Sequence, residues 1–245
     1  MKLFASFFLI FIYGLNLYSL DWESKGREMI GEVVSNPAAF FYDFQQDLEA
    51  TSPIISGKTF SLQTGLFPTL LPMSYANISG KLNLYSENSI VGGFPQFDLI
   101  GGYQNMVLAS VAANQSNKIK DASFSGYYEG FILSSSMSPK IRAFYGYKHS
   151  ALRAKLNFND GDEPELLKIK INSFDSGFRD DFIILGIETL KAVNKYWSIQ
   201  LNYGFSTKNV SAKVSWYGKW FELGLNIYPE GVLTVHPVWN FHLNF

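Results

Sequence analysis

Histidine is the residue type in this chain best suited to catalysis, because an imidazole can exchange a proton near neutral pH. The chain has three histidines, His149, His236 and His242. His149 precedes Ser150, and a histidine that activates a serine would support acyl transfer or hydrolysis. Adjacent residues of a strand point to opposite faces, however, so this pair could act together only in a turn. His236 and His242 would lie about 20 Å apart along one strand, too far to chelate one metal ion.

The acidic residues could instead bind a cation. Asp160, Asp162, Glu163 and Glu165 stand close together after Asn159. Their spacing lacks the full pattern of an EF-hand calcium loop, and a solvated turn explains them better. The chain has no cysteine, which excludes thiolate metal sites and disulfides. We therefore predict no enzyme, no metal site and no cofactor.

The N-terminus carries an export pattern. Lys2 precedes an apolar run from Leu3 to Leu15, and a more polar stretch follows it. This order is typical of a secretory signal, and we place the cleavage after Ser19, so that residues 1–19 are the signal peptide. A retained anchor is the alternative, but a run of about 13 residues is shorter than the roughly 20 of a membrane span.

Residues 20–56 have helical spacing. Asn36 and Pro37 suit an N-cap followed by a first-turn proline, and Phe40 and Phe44 recur one helical turn apart. This N-terminal helical segment could be a periplasmic appendage, a helix on the membrane surface or a plug. We favour packing in or against the mouth of the β domain described next.

From residue 57 to residue 245 apolar and polar residues alternate, as in half-buried strands. The clearest segments are 150–159, 166–174, 196–206 and 221–228. Turn signals separate about twelve segments, within a range of ten to fourteen, and one link is predicted near residue 149. About ten residues at about 3.3 Å each, tilted by about 40°, span the roughly 25 Å apolar height of an outer-membrane barrel.

The chain ends in VWNFHLNF, in which Trp239, Phe241, Leu243 and Phe245 share one face of a strand. This ending resembles the C-terminal β-signal of Gram-negative outer-membrane proteins, which the barrel-assembly machinery recognises. Together with the export pattern, the resemblance implies an all-β fold, an antiparallel up-and-down transmembrane β-barrel located in the outer membrane. Its implied partners are outer-membrane lipid and the assembly machinery.

A soluble β-sandwich is the rival fold, because its strands also alternate. Aromatic residues near strand ends favour the membrane, where they would form interfacial girdles. These residues are Trp197, Trp216, Trp220, Trp239, Tyr228 and Tyr103. A formal net charge of −1 offers no general attraction to nucleic acid, so none is expected as a partner.

Charged residues are costly facing lipid and should therefore line the lumen. Those opposite the apolar faces are Arg153, Lys155, Lys168, Lys170, Glu188, Lys213 and Glu222. The first four would form a basic wall, which favours anions. We predict a small pore or transport-type channel for small solutes. A non-conducting structural or surface-interaction barrel is the alternative, and a lipid-modifying enzyme that uses His149 is the third hypothesis.

Overall fold

The computed structural model describes residues 42, 43, 45–47, 49, 59–67, 76–105, 119–159, 165–166, 169–170, 173–192, 195–231 and 234–245. The predicted signal peptide, the helix start at Asn36 and Pro37, and the residues Phe40 and Phe44 lie outside these described residues. Within the described ranges, no helix has the length and apolarity needed to cross a membrane.

The described β structure is a closed antiparallel barrel of ten strands. The strands in chain order are β1 Phe60–Phe67, β2 Ala76–Tyr85, β3 Gln96–Asn105, β4 Ile119–Ser138, β5 Ile141–Phe158, β6 Glu165–Leu166, β7 Ile169–Lys170, β8 Ser173–Ala192, β9 Lys195–Gly204, β10 Val210–Tyr217, β11 Phe221–Ile227 and β12 Val235–Asn244. The barrel order is β1-β12-β11-β10-β9-β8-β5-β4-β3-β2, while β6 and β7 pair with each other. The predicted all-β barrel is confirmed, with ten barrel strands instead of about twelve.

The strand count differs from twelve for two reasons, an absent link near residue 149 and a predicted strand at 166–174 that is not a separate barrel strand. Residue 149 lies inside β5, where His149 pairs with Glu129 of β4 and Asp181 of β8. The segment 166–174 is not a barrel strand either, because β8 begins at Ser173. Pairing on both sides of β5 continues through residue 149, so two predicted strands are one.

The end of the barrel where β1 begins and β12 ends is called the near end, and the opposite end the far end. Strands β4, β5 and β8 have 20, 18 and 20 residues, against ten or fewer in each of the other barrel strands. At the far end these three long strands therefore extend beyond Gly204, where β9 ends, and beyond Asn105, the last described residue of β3.

The apolar face of the long strands changes side along their length. In the near half of β5, Ile141 and Tyr145 are exposed, whereas Leu152 and Ala154 of the far half are buried. Residues 141 and 145 have odd numbers, and residues 152 and 154 have even numbers. Since neighbouring side chains in a strand point to opposite faces, the outer face of β5 is apolar in the near half, whereas in the far half the large apolar residues lie on the inner face.

The interior between β3, β4, β5 and β8 contains an apolar cluster, formed by Ile100, Tyr128, Ile132, Phe144 and Ile184. Two of its rings cover glycines directly across the sheet. Tyr128 pairs with Gly102, and Phe144 pairs with Gly186. A Cβ atom at either glycine would collide with the facing ring. The two glycines thus make room for the rings inside the wall.

We expect Gly186→Ala to lower the free energy of unfolding by about 1–3 kcal/mol, because the new methyl group must displace Phe144. Gly92→Ala is the matched control, since a Cβ there would meet nothing within 4 Å. Denaturant titration followed by tryptophan fluorescence measures both changes. Equal losses in the two variants would contradict the packing described for Phe144.

Candidate functional site inside the barrel

A short helical stretch lies inside the far half of the barrel. It comprises residues 42, 43 and 45–47, which are helical, and Glu49, and these six residues are called the inner segment. The Glu49 N–H donates to the carbonyl of Gln45 at 3.1 Å, the hydrogen bond of an α-helix. No side chain of the inner segment is more than 6% exposed. Five of the six are polar, so the barrel wall must satisfy them.

The wall strand β5 holds the carboxylate of Glu49. Inward-facing Lys148 donates to Glu49 Oε2, and Ser150 donates to Glu49 Oε1. Gln45 of the inner segment adds a bond to Oε1 at 3.0 Å. The Lys148 ammonium also lies 4.9 Å from the centre of the Phe182 ring, a contact that favours a cation. Each oxygen of this carboxylate therefore has its own donor from the wall.

Strands β11 and β12 hold the carboxylate of Asp47. Asn226 Nδ2 and the Tyr228 hydroxyl each donate to Asp47 Oδ1 at 2.8 Å. His236 Nδ1 contacts the other oxygen, Oδ2. Tyr228, which sequence analysis assigned to an outer girdle, is instead buried inside. Tyr228 directly follows β11 and continues its alternation, in which even-numbered residues face the interior. Its hydroxyl therefore points to the inner segment.

Further contacts fix the inner segment to the wall. Ser211 of β10 donates to Gln46 at 2.8 Å. The Tyr42 ring packs edge-on against Phe178 of β8 at 5.1 Å, and its hydroxyl accepts a bond from Thr207 at 3.1 Å. The inner segment thus contacts β5, β8, β10, β11 and β12.

A second buried network joins the neighbouring strands β10, β11, β12 and β1 beside the inner segment. Glu222 of β11 is fully buried and lies 2.7 Å from the ammonium of Lys213 on β10. Gln63 and Asn240 each donate to its Oε2 at 2.6 Å, and Ser215 donates to Oε1 at 2.5 Å. Four donors from three strands, β1, β10 and β12, therefore surround one buried carboxylate, and the ammonium of Lys213 balances its charge.

The near end has its own ionic contacts. Arg142 of β5 donates to Gln96 and Ser134, each at 3.0 Å, and to Glu87 in the β2–β3 link at 3.2 Å. Burial alone would raise the pKa of Glu87, but hydrogen bonds from Ser136 and the charge of Arg142 outweigh it and lower the pKa. Glu87 therefore stays ionised and ties this link to the barrel.

A small cavity borders the inner segment. A cavity of about 10 Å³ lies among residues that include Gln46, Glu49, Lys148 and Lys213. This volume corresponds to about one water molecule. Within the described part of the chain, that space is too small for a hydrated solute.

Three of the predicted lumen charges face the interior. Glu188, Lys213 and Glu222 are all buried on the inner face of their strands. Lys213 and Glu222 form the ion pair described above. Lys168 lies outside the described residues, as does the side chain of Lys170.

Arg153 and Lys155 are placed differently from the sequence prediction. Both lie on the outer face of β5, where Arg153 pairs with Asp175 at 3.2 Å and Lys155 pairs with Asp121 at 3.3 Å. The Arg153 side chain is 70% exposed. The reason is that the outer face of β5 is apolar in the near half and charged in the far half. Among the described side chains of residues 150–158, the large apolar ones therefore face the interior and the charged ones face outward. These two residues do not contribute to a basic wall in the lumen.

The four residues of the proposed β-signal share the outer face of β12. Trp239, Phe241, Leu243 and Phe245 are all exposed, and the strand pairs with β1 to close the barrel. The alternation of the last eight residues predicted this common face. Their recognition by the assembly machinery stays a prediction.

The histidines occupy separate environments. His149 faces outward and donates to Asp181 at 2.7 Å, whereas Ser150 faces inward, so the two do not form a catalytic pair. His242 faces inward and donates to the carbonyl of Gly218 at 3.0 Å. Among the described residues, no three His, Asp or Glu side chains converge as metal ligands.

Sequence reasoning missed the residues that hold the inner segment, above all Lys148 and His236. Two signals could have found them. Asp43 and Asp47 are one helical turn apart, which indicates an acidic helix face. Lys148 lies on the opposite face of its strand from Tyr145 and Tyr147. If the tyrosines face outward, the lysine side chain points into the barrel. A barrel with an inward cation can bind such a helix.

Comparison with known proteins adds no relative. The chain matches no protein-family model, no curated protein and no solved structure. The functional argument therefore depends on the geometry of the barrel and of the inner segment.

Proposed function

We propose that this protein spans the outer membrane as a ten-stranded β-barrel whose lumen is closed by the inner segment, and that it does not conduct in this state. A barrel that is closed in this way serves a structural or surface-interaction role. The observation that carries the membrane proposal is the change from an apolar to a charged outer face along β5 and β8. Such a change is expected where the near half of the barrel is surrounded by hydrocarbon and the far half by water.

The outer face of the long strands supports this explanation. On β8, Ile183, Leu185 and Ile187 are exposed in the near half, while Asp175 and Arg179 are exposed in the far half. Water tolerates the charged far half, and hydrocarbon suits the apolar near half. A barrel surrounded by water throughout would gain nothing by exposing three large aliphatic residues in succession.

A row of ionisable residues marks the boundary between the two halves. Glu129 of β4, His149 of β5 and Asp181 of β8 are register neighbours on the outer face. Their position directly beside the apolar half suits the interface between hydrocarbon and headgroups. His149 and Asp181 are paired at 2.7 Å, which reduces the cost of placing charge there.

Most links at the far end are longer than those at the near end, as in outer-membrane barrels, although the near-end β2–β3 link has ten residues, 86–95. The near-end links β4–β5 and β10–β11 have two and three residues, at 139–140 and 218–220. At the far end, fourteen residues, 159–172, separate β5 from β8. This asymmetry supports a near end in the periplasm and a far end outside the cell.

A gated channel for small solutes is the second candidate, because the wall around the inner segment is polar. Lys148, Ser150, Ser211 and Asn226 all face the segment. If the segment withdrew, a wettable path would remain, as the pore prediction requires. A permanently filled barrel could have used apolar residues at these positions.

Conductance across planar bilayers separates the two candidates. We expect no current from the wild-type protein after its insertion is verified by co-flotation with liposomes, because the lumen is filled. Steady current from the wild type would overturn the closed-lumen proposal in favour of an open pore. Failure to float with liposomes would overturn the membrane proposal.

The double variant Asp47→Ala, Glu49→Ala tests the gate, because it removes both anchoring carboxylates of the inner segment. Current from this variant would favour the gated channel, and the absence of current would favour the structural barrel. Arg153→Ala, Asp175→Ala is the matched control, since it removes an ion pair from the outer face. This control should behave as the wild type in either case.

A further inference from the structure

We propose that the barrel interior carries a binding site for small carboxylate anions, which the inner segment fills with the side chains of Asp47 and Glu49. The site consists of two pockets in the wall, and it goes beyond the proposed closed-barrel function. It does not depend on membrane insertion, because every donor in it lies inside the barrel.

Apart from Gln45, which donates to Glu49 from within the inner segment, the donors of both pockets belong to the wall. Lys148 and Ser150 are two residues apart on β5. Asn226 and Tyr228 are two residues apart at the end of β11, and His236 pairs with Asn226 across the sheet. Loss of the segment's carboxylates would leave these donors in place, because the strand pairing holds them.

The arrangement of donors selects a planar group with two oxygens. In the first pocket Ser150 serves Oε1 of Glu49, and Lys148 serves Oε2. In the second pocket Asn226 and Tyr228 donate hydrogen bonds to Oδ1 of Asp47, and His236 contacts Oδ2. A spherical halide could not meet both sets of donors in one pocket. An acetate ion matches the group that each wall pocket already holds.

Charge gives the first pocket its affinity. Within the described part of the chain, Glu49 is the one carboxylate within 4.0 Å of the Lys148 ammonium. Lys148 is buried, and an unpaired buried charge is strongly unfavourable. An anion that replaces the Glu49 carboxylate restores the pair, so binding is favoured whenever the segment's own carboxylate is missing.

Rescue by acetate tests the proposal. In the Asp47→Ala, Glu49→Ala variant, the thermal unfolding midpoint should rise in sodium acetate relative to sodium chloride at equal ionic strength and pH. At roughly ten times the dissociation constant, the rise should be about 3–6 °C for a barrel of this size. The wild type should show no such difference, because its pockets are filled. An equal midpoint in the two salts would overturn the proposal.

Further variants test whether the acetate effect is specific to the two pockets. Addition of Lys148→Met and His236→Gln to the double variant should abolish the acetate effect, and an effect that persists would also overturn the proposal. The single variants Asp47→Ala and Glu49→Ala each open one pocket, so either can replace a double variant that does not fold. Asp175→Ala, which removes an outward carboxylate, should respond equally to both salts.

Discussion

Replacement of Glu222 by leucine should lower the free energy of unfolding by about 3–5 kcal/mol, because it leaves the ammonium of Lys213 in the interior without its partner. Both side chains of this pair are at most 8% exposed, and their charged atoms lie 2.7 Å apart. The substitution also removes the carboxylate oxygen to which the side-chain amides of Gln63 and Asn240 both donate. Equilibrium unfolding in urea measures the change.

The matched control is Asp175→Leu, which breaks the outward pair with Arg153. Both of those side chains are well exposed, so solvent and salt screen the interaction, and we expect a much smaller change. The double variant Lys213→Met, Glu222→Leu should recover most of the loss, because it removes the unpaired charge. If Glu222→Leu were no more harmful than Asp175→Leu, the buried network would not stabilise the barrel as argued.

A lysine in place of Leu185 should impair folding into bilayers, by about 2–4 kcal/mol if the site is near the membrane midplane. Leu185 is 52% exposed on the outer face of β8, with Ile183 and Ile187 on either side in the outward row. Urea titration of protein folded in liposomes, read by the gel mobility of the folded form, gives the difference from wild type.

Ser173→Lys is the control on the same strand, because Ser173 is exposed in the far half of β8. Its substitution should leave folding almost unchanged, since the far half faces water in the proposed orientation. Equal tolerance of lysine at Leu185 and at Ser173 would show that one medium surrounds both halves. That result would remove the main support for the membrane proposal.

The sequence alone determined that the chain forms strands and which residues share a face. Alternation is a local property, since side-chain direction reverses at each residue of any strand. It therefore predicted the common face of Trp239, Phe241, Leu243 and Phe245, and it predicted that Glu188, Lys213 and Glu222 lie on the face opposite the apolar residues of their strands. It also placed helical spacing before the barrel, where the described residues 42, 43 and 45–47 are helical.

Only the tertiary structure decided which face is inside at each point and how many strands there are. An alternating sequence does not show whether its apolar face contacts hydrocarbon or a packed interior. For this reason Arg153 and Lys155 were assigned to the lumen, although they lie on the outer face. Contacts of Asp47 with His236 and of Glu49 with Lys148 join residues 189 and 99 positions apart. Local patterns contain no information on such pairs, because the closed barrel brings them together only after every strand is in register.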